Sequence, residues 1–376
     1  MKTADTRSYP LLPYSQLVWD LMQSDPHIYN FDFTLRVKNA TADIEKLKQA
    51  FRTALSNHPV LSMVIDADGK QSYMPTEDIL HGQFHSIRFE DNDNYTDINV
   101  HYNRILGDSV SGNIFVEDVF RAYNSLALEQ DHYIDYLEWL EKYKQSSAYS
   151  QHRQWLEKEF GVACPVHPQP DLPLTAGVKA IEGVIHDDFT TLRERLQAVS
   201  ERHIVSLSAL FSLAAAMAIM QYNGTDMAAL TWAYEGREQP MEQHVFGSLH
   251  RDIPILLKAD TDKTALFKQI RTQMRQGIAH SLYPYTLTKP FTERWNYAVN
   301  VLYYNSNNDF LSIAPFEAEL IIPDTEHPAY SLLDMEIYDS GDTLALLYRY
   351  SATHYNEQSM MRFAGLVRQN LEWLTE

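Results

Sequence analysis

Apolar residues recur at helical spacing early in the chain. In "TADIEKLKQAFRTALSNHP" (41–59), Ile44, Leu47, Phe51 and Leu55 form one stripe, Thr41 or Asp43 can cap the start, and Pro59 ends the run. The period then shortens to two. "VLSMVIDADGKQSYM" (60–74) holds two β-rich runs about Asp68-Gly69, which predicts a hairpin. In "INVHYNRILGDSVSGNIFVEDVF" (98–120), Ile98, Val100 and Tyr102 alternate with polar residues. After Gly107–Asp108 the apolar set Ile114, Phe115, Val116 and Phe120 takes over, which predicts strand, turn and helix. Residues 133–160 are helical in pattern, with an interruption near Ser146–Ser147.

Pro165, Pro168, Pro170 and Pro173 crowd the next stretch, 161–177, and neither a helix nor a central strand tolerates that density, so it is expected to be a linker. Beyond it, helical patterns fall near 189–203, 206–222, 261–282 and 356–375. Strand-like runs lie at 227–233, 252–258, 296–304, 317–322 and 343–350. The expected organisation is an N-terminal lobe (1–160), a proline-rich linker (161–177) and a C-terminal lobe (178–376), both lobes α/β.

The 376 residues suffice for two such lobes, and 45% hydrophobic with 22% charged content allows ordinary cores. A net charge of −19 argues against nucleic acid and anionic membrane as partners, since either needs a cluster of Lys and Arg. Cys164 is the one cysteine, so no internal disulfide forms. The most apolar run, "ALFSLAAAMAIM" (209–220), is shorter than the roughly 20 residues a bilayer span needs. It reads as a buried helix stopped at Gly224, and the N-terminus lacks a signal-length apolar stretch, so the expected location is cytoplasmic. The sequence has no G-x-G-x-x-G, Walker-type loop, C-x-x-C or H-E-x-x-H, and the 15 histidines show no metal-ligand spacing.

Several segments, in order, resemble the condensation domains of nonribosomal peptide synthetases. "LLPYSQLVWDL" (11–21) resembles the opening S-x-x-Q…L-W element, and "SNHPVLSMVI" (56–65) resembles R-H-x-x-L-R-T-x-F. "NRILGDS" (103–109) falls where the family carries HHxxxDG. "YEGREQPMEQHVFGSLHRDIPILL" (234–257) keeps Gly236, Arg237, Gly247 and Pro254 of G-R…G-x-x-x-N-x-x-P. "HSLYPYT" (280–286) and "WNYAVNVLYYN" (295–305) resemble H-Q-D-x-P-F-E and the strand after it. The resemblance implies an α/β fold of two chloramphenicol-acetyltransferase-like lobes, each a mixed sheet flanked by helices, in a V shape about a central cleft. It implies substrates tethered as thioesters to the phosphopantetheine arm of peptidyl or acyl carrier proteins, with no intrinsic cofactor and no metal.

In such domains the second His of HHxxxDG meets the two thioesters, and its near-neutral pKa suits it to take a proton or hold the amine. The residue matching it here is Arg104, and Asn103 matches the first His. With a pKa above about 12, roughly one guanidinium in 10⁵ or fewer is deprotonated at pH 7, so Arg104 is no general base. His101 has the opposite strand parity and is no easy substitute. The Arg that, by resemblance, braces the motif's Asp is Ser62 here, and the element's leading Arg is Asn57. Arg104 is therefore expected to take over the ion pair with Asp108, although it could instead hold a substrate carbonyl or carboxylate.

Ser109 replaces the motif's Gly, Arg251 stands where the family usually has Asn, and His250 beside it is a possible replacement base. Asn300, with Tyr303 or Tyr304, could line the cleft. The candidate site residues are thus Asn103, Arg104, Asp108, Ser109, Ser111, His250, Arg251 and Asn300. The first reading is a domain that recognises carrier-bound intermediates or recruits a tailoring enzyme without condensing them. A family branch with H-R-x-x-x-D at this motif docks oxidative cytochromes, and Asn103-Arg104-x-x-x-Asp108 shares its Arg and Asp. A second reading is heterocyclisation, whose D-x-x-x-x-D-x-x-S is matched at two of three positions, Asp108 and Ser111, with Asn103 in the first place. The third is ordinary amide or ester formation, with the base supplied by the substrate amine or by His250, since holding both arms already supplies proximity.

Overall fold

The computed structural model describes residues 7–74, 78–174, 180–288, 291–305, 314–323, 328–329 and 331–376. In chain order the first elements are β1 (Ser8–Pro10), α1 (Pro13–Met22), β2 (Asn30–Lys38), α2 (Ile44–Asn57), β3 (Met63–Ile65), β4 (Lys70–Tyr73), β5 (His85–Asp91), β6 (Tyr95–Asn103), α3 (Ser109–Tyr123) and α4 (Tyr133–Lys144). Then come α5 (Ser147–Phe160), β7 (Ala180–Asp188), α6 (Arg193–His203), α7 (Leu207–Asn223), β8 (Met227–Tyr234), β9 (Arg251–Lys258), α8 (Lys263–His280), the short α9 (Thr292–Trp295) and β10 (Asn300–Asn305). The chain closes with β11 (Ala318–Ile321), β12 (Pro328–Ala329), β13 (Leu333–Asp339), β14 (Leu344–Ser351) and α10 (Glu357–Thr375).

These elements form two compact units, neither contiguous in sequence. The first comprises 1–146, 235–250 and 309–324; the second comprises 147–234, 251–308 and 325–376. The division at 160 and 178 expected from the prolines does not coincide with them. α5 belongs to the second unit, while the run after β8 and the strand β11 belong to the first.

The first unit carries a four-stranded sheet, β11-β2-β6-β5, and a three-stranded one, β1-β4-β3. Both are antiparallel throughout, so among the described residues the mixed sheet expected of each lobe is found only in the second unit. Asp43, the expected cap of α2, accepts from the Lys46 N–H at 3.0 Å. The stripe behind that cap buries Leu47, Phe51 and Leu55 in one core with Leu35, Val37, Ile87 and Ile98 of the four-stranded sheet.

The second unit is built on β12-β7-β14-β13-β10-β8-β9, with β10 parallel to both neighbours and the remaining pairs antiparallel. The apolar run read as a core helix is α7, apolar on nearly every side, as a fully enclosed helix must be. Ser206 caps its start, and Gly224 at φ +67° closes it in the left-handed conformation. Among the described residues no single helix is long and apolar enough to cross a membrane.

The proline-rich stretch is not a free linker. Proline lacks an N–H but keeps its carbonyl, and this segment is held through carbonyls. Ala229 donates to Pro165 O at 2.9 Å, Val299 to Val166 O at 2.8 Å and the Tyr355 hydroxyl to Pro168 O at 2.7 Å.

Candidate functional site

The turn between β6 and α3 puts the motif residues side by side but spends most of them on structure. Asn103, 1% exposed, donates to Ile28 O at 2.8 Å and to Asn30 Oδ1 at 2.7 Å, and its own Oδ1 accepts from the Ile105 N–H at 2.9 Å. The amide thus fixes the exit of β6. Ser109 opens α3 on the exposed side.

Asp108 is the node of this region. As N-cap of α3 it forms a capping box with Ser111, its Oδ1 accepting from both the backbone N–H and the hydroxyl of Ser111 at 2.9 Å. Oδ2 accepts from the backbone N–H of Leu249 at 2.9 Å and of His250 at 3.1 Å. The counter-charge comes from Arg237, whose Nη1 and Nη2 donate to Oδ2 and Oδ1 at 3.0 and 2.9 Å. Both side chains of this pair are at most 6% exposed. Burial alone would raise the Asp108 pKa, but the Arg237 charge and fork outweigh it and hold the carboxyl below its ordinary value.

The expected Arg104–Asp108 ion pair is therefore replaced by Arg237–Asp108. Gly236, at φ +70°, supplies the left-handed turn just ahead of Arg237. From there the guanidinium meets both carboxylate oxygens and also donates to the carbonyls of Val245 and Gly247 at 3.2 and 3.1 Å. Ser111 completes the node, its hydroxyl lying within 3.0 Å of both the carbonyl and the N–H of Gly247. Ser62, at the bracing position of the R-H-x-x-L-R element, is buried, and its carbonyl accepts from the Met74 N–H at 2.9 Å.

Arg104 goes elsewhere. Its guanidinium carbon lies 5.3 Å from the Tyr14 ring centre and 5.8 Å from that of Tyr29, within cation–π range of both. Its N–H donates to Tyr29 O at 3.0 Å, and its carbonyl accepts from the Ser248 hydroxyl at 3.1 Å. Tyr29 holds its place with φ +57°, an uncommon conformation for a non-glycine residue. His250 packs against the other tyrosine, with ring centres 3.9 Å apart and planes at 69°. Burial, then the positive charges of Arg104 and Arg237, push its imidazole down to about 3, so it is neutral at pH 7 and weakly basic. His101, on the other strand parity, pairs with Asp32 at 2.8 Å.

Arg251 and Asn300 belong to the second unit. Arg251, first residue of β9, donates to the Ser281 hydroxyl at 3.1 Å, and Asn300, first residue of β10, accepts from Thr231 Oγ1 at 3.2 Å. The Tyr303 hydroxyl donates to Asp339 at 2.9 Å, while Tyr304 stacks on Tyr338 at 5.0 Å. The strand expected at 296–304 starts only at Asn300.

The sequence reading did not give Arg237, Tyr14 or Tyr29 a role. For Arg237 the Gly236-Arg237 match was the available signal; for Tyr29 there was none, because its backbone conformation leaves no mark on composition. Among the described residues no three His, Cys, Asp or Glu side chains gather where a metal could sit.

A profile of the Condensation domain family matches residues 76–376, most of the chain. The chain belongs to that family. Bacitracin synthase 1 of Bacillus licheniformis is 21% identical over 412 aligned positions, covering 96% of this chain but only 8% of that synthase, so the chain spans a small part of that relative. Among solved structures, the condensation domain from Monacolin K polyketide synthase superimposes with a TM-score of 0.79 at 13% identity, covering 100% of this chain and 98% of that one. The X-domain from teicoplanin biosynthesis gives 0.76 at 15%, covering 97% and 94%. The epimerization domain from the third module of tyrocidine synthetase B gives 0.75 at 18%, covering 98% and 96%. At these identities the likeness establishes the condensation-domain fold.

Proposed function

We propose that this condensation-family chain acts in nonribosomal peptide biosynthesis by recognising acyl or peptidyl thioesters on the phosphopantetheine arm of a carrier protein, without catalysing their condensation. The observation that carries the reading is the fate of the motif's polar groups. The Arg104 guanidinium, permanently charged and by resemblance at the position of the motif's second His, lies against Tyr14 and Tyr29, and Asp108 is spent on Arg237 and on capping α3. Proton transfer by a positioned base is typically worth roughly 10²–10⁴-fold in rate, and neither residue offers it. His250, lowered to about 3, is a poor replacement because a base works best when its pKa lies near the working pH.

The partners in this reading are carrier proteins and, by extension, a tailoring enzyme that works on the tethered intermediate. The domain would supply no cofactor of its own, and its place would be the cytoplasm beside the synthetase. Heterocyclisation is less well supported. It asks for a carboxylate where Asn103 stands, and that amide is fully occupied in holding Ile28, Asn30 and Ile105.

The test is to mix the protein with donor and acceptor carrier thioesters and follow products by intact mass. Binding of a loaded carrier with no product above the protein-free mixture is the expected result. An intact amide would establish condensation and overturn the reading, and a product that has lost water would establish cyclisation.

A further inference from the structure

A buried cluster in the first unit is one donor short. His58 follows the last residue of α2, and its ring lies between Asp131 and Asp118 of α3, all three buried. Asp131 Oδ1 accepts from the Tyr133 N–H at 2.8 Å. Its Oδ2 accepts from the Phe246 N–H at 3.2 Å and lies 2.9 Å from His58 Nδ1. With donors converging on both oxygens, Asp131 is an ionised acceptor, so the hydrogen-bond network assigns the ring proton to Nδ1.

The opposite ring nitrogen then has nothing to bond. Nε2 is 3.5 Å from Asp118 Oδ2 and has no hydrogen-bond partner among the described residues. A neutral ring presents a lone pair there, towards an oxygen that already accepts from Asn57 Nδ2 at 2.7 Å. Two buried acceptors thus face each other. A bridging water would hold them about 4.5 Å apart or more, so the donor that fits this gap is a proton.

The charges give the same count. Among the described residues neither Asp118 nor Asp131 forms an ion pair with Lys or Arg. Asn57, by resemblance at the place of the R-H-x-x-L-R element's leading Arg, brings an amide and no charge. Burial raises the Asp118 pKa, and the Asn57 bond and then His58 offset only part of that rise. The other titratable groups acting on Asp118 are His244, which pairs with Glu129, and Glu117, which pairs with Arg121. Phe115 and Phe246 wall the His58 ring.

We propose that one proton, taken up from water between His58 Nε2 and Asp118 Oδ2, works as a pH-sensitive clasp. Bound, it makes Nε2 a donor to Oδ2, draws the gap in to roughly 2.8 Å and ties the end of α2 to α3. Lost, it leaves the two acceptors opposed. Asp131 joins the same ring to the Phe246 N–H, so the clasp also governs how firmly the segment 245–250 is held. The clasp goes beyond the thioester-binding reading and does not depend on it.

Nitrogen NMR of the full chain, labelled at histidine and in the backbone and followed between about pH 4.5 and 8.5, tests the clasp. The His58 ring is the signal missing from His58→Gln or, should that variant not fold, the one that Asp118→Asn displaces. Its Nδ1 should stay protonated throughout while Nε2 passes through one step, and the Phe246 amide should shift with the same midpoint. Asp118→Asn, nearly isosteric, should move that step by about one pH unit or more, to lower pH, because it removes a neighbouring negative charge. No step at Nε2, a step that Asp118→Asn leaves in place, or a Phe246 amide that does not follow it overturns the proposal.

Discussion

His58 packs against the segment 245–250 of the first unit through Phe246, and His250 ends that segment, in opposite electrostatic surroundings. The His58 side chain is fully enclosed, with Nδ1 2.9 Å from Asp131 and Nε2 3.5 Å from Asp118. His250 is driven to about 3 by burial first and then by two guanidinium groups, Arg104 and Arg237. The imidazole with acidic neighbours is sealed from any substrate, and the one beside the motif is held neutral by its burial and, after that, by its cationic neighbours. Nearness to the motif therefore does not make a base.

The two regions nevertheless share a task. Asp131 also accepts from the Phe246 N–H at 3.2 Å, while Asp108 accepts from Leu249 and His250, so one buried carboxylate pins each end of the same short segment.

Removing a counter-charge should disturb this contrast most. Arg237→Ala strands Asp108 in a buried site, and a loss of about 3–5 kcal/mol is expected in urea unfolding, as for a broken buried pair. Arg104→Ala leaves the fork on Asp108 intact and should cost less; the reverse order would show that the wrong arginine has been assigned to the node.

A smaller loss should follow from crowding the node without touching charge. A Cβ on Gly107 would lie 2.8 Å from Ser111 Cβ, and 2.9 Å from both Ser111 Oγ and Phe246 Cε1, closer than packed atoms sit. Gly107→Ala should therefore cost about 1–3 kcal/mol, read as a lowered melting temperature. An unchanged melting temperature would mean that Ser111 moves freely and is not fixed by the node.

The smallest effect sharpens the histidine side of the comparison. Because the folded state lowers the His250 pKa, the unfolded chain takes up the proton first as pH falls. The stability tied to the neutral ring is complete above about 6.5 and drains away as pH drops toward 3. Between pH 7 and pH 5 this group should account for about 1–2 kcal/mol of lost stability. His250→Gln should flatten that part of the pH–melting curve, whereas an unaltered slope would place His250 in a more ordinary environment.

How much could be read beforehand follows from how local each interaction is. The helix at 44–57, the hairpin of β3 and β4, and the β6–α3 turn were legible because pattern, cap and turn all lie within a few residues of each other. β2 was not read, although Phe31, Phe33, Leu35 and Val37 alternate plainly with polar residues. β11, expected with the second half, pairs instead with β2, a partner about three quarters of the chain away. The node failed in the same way: Arg104 is four residues from Asp108 and looked like its natural partner, but the real one is 129 positions away. That the prolines of 161–174 dock through their carbonyls was equally hidden, because sequence records the missing N–H and not the surviving acceptor.

The most direct test of the account is a double-mutant cycle read by urea unfolding. It combines Asp108→Asn with Arg237→Gln and, separately, with Arg104→Gln. The account predicts a coupling energy of about 2 kcal/mol or more for Asp108 with Arg237, and a value well below it for Asp108 with Arg104. Additivity with Arg237, together with strong coupling to Arg104, would contradict it.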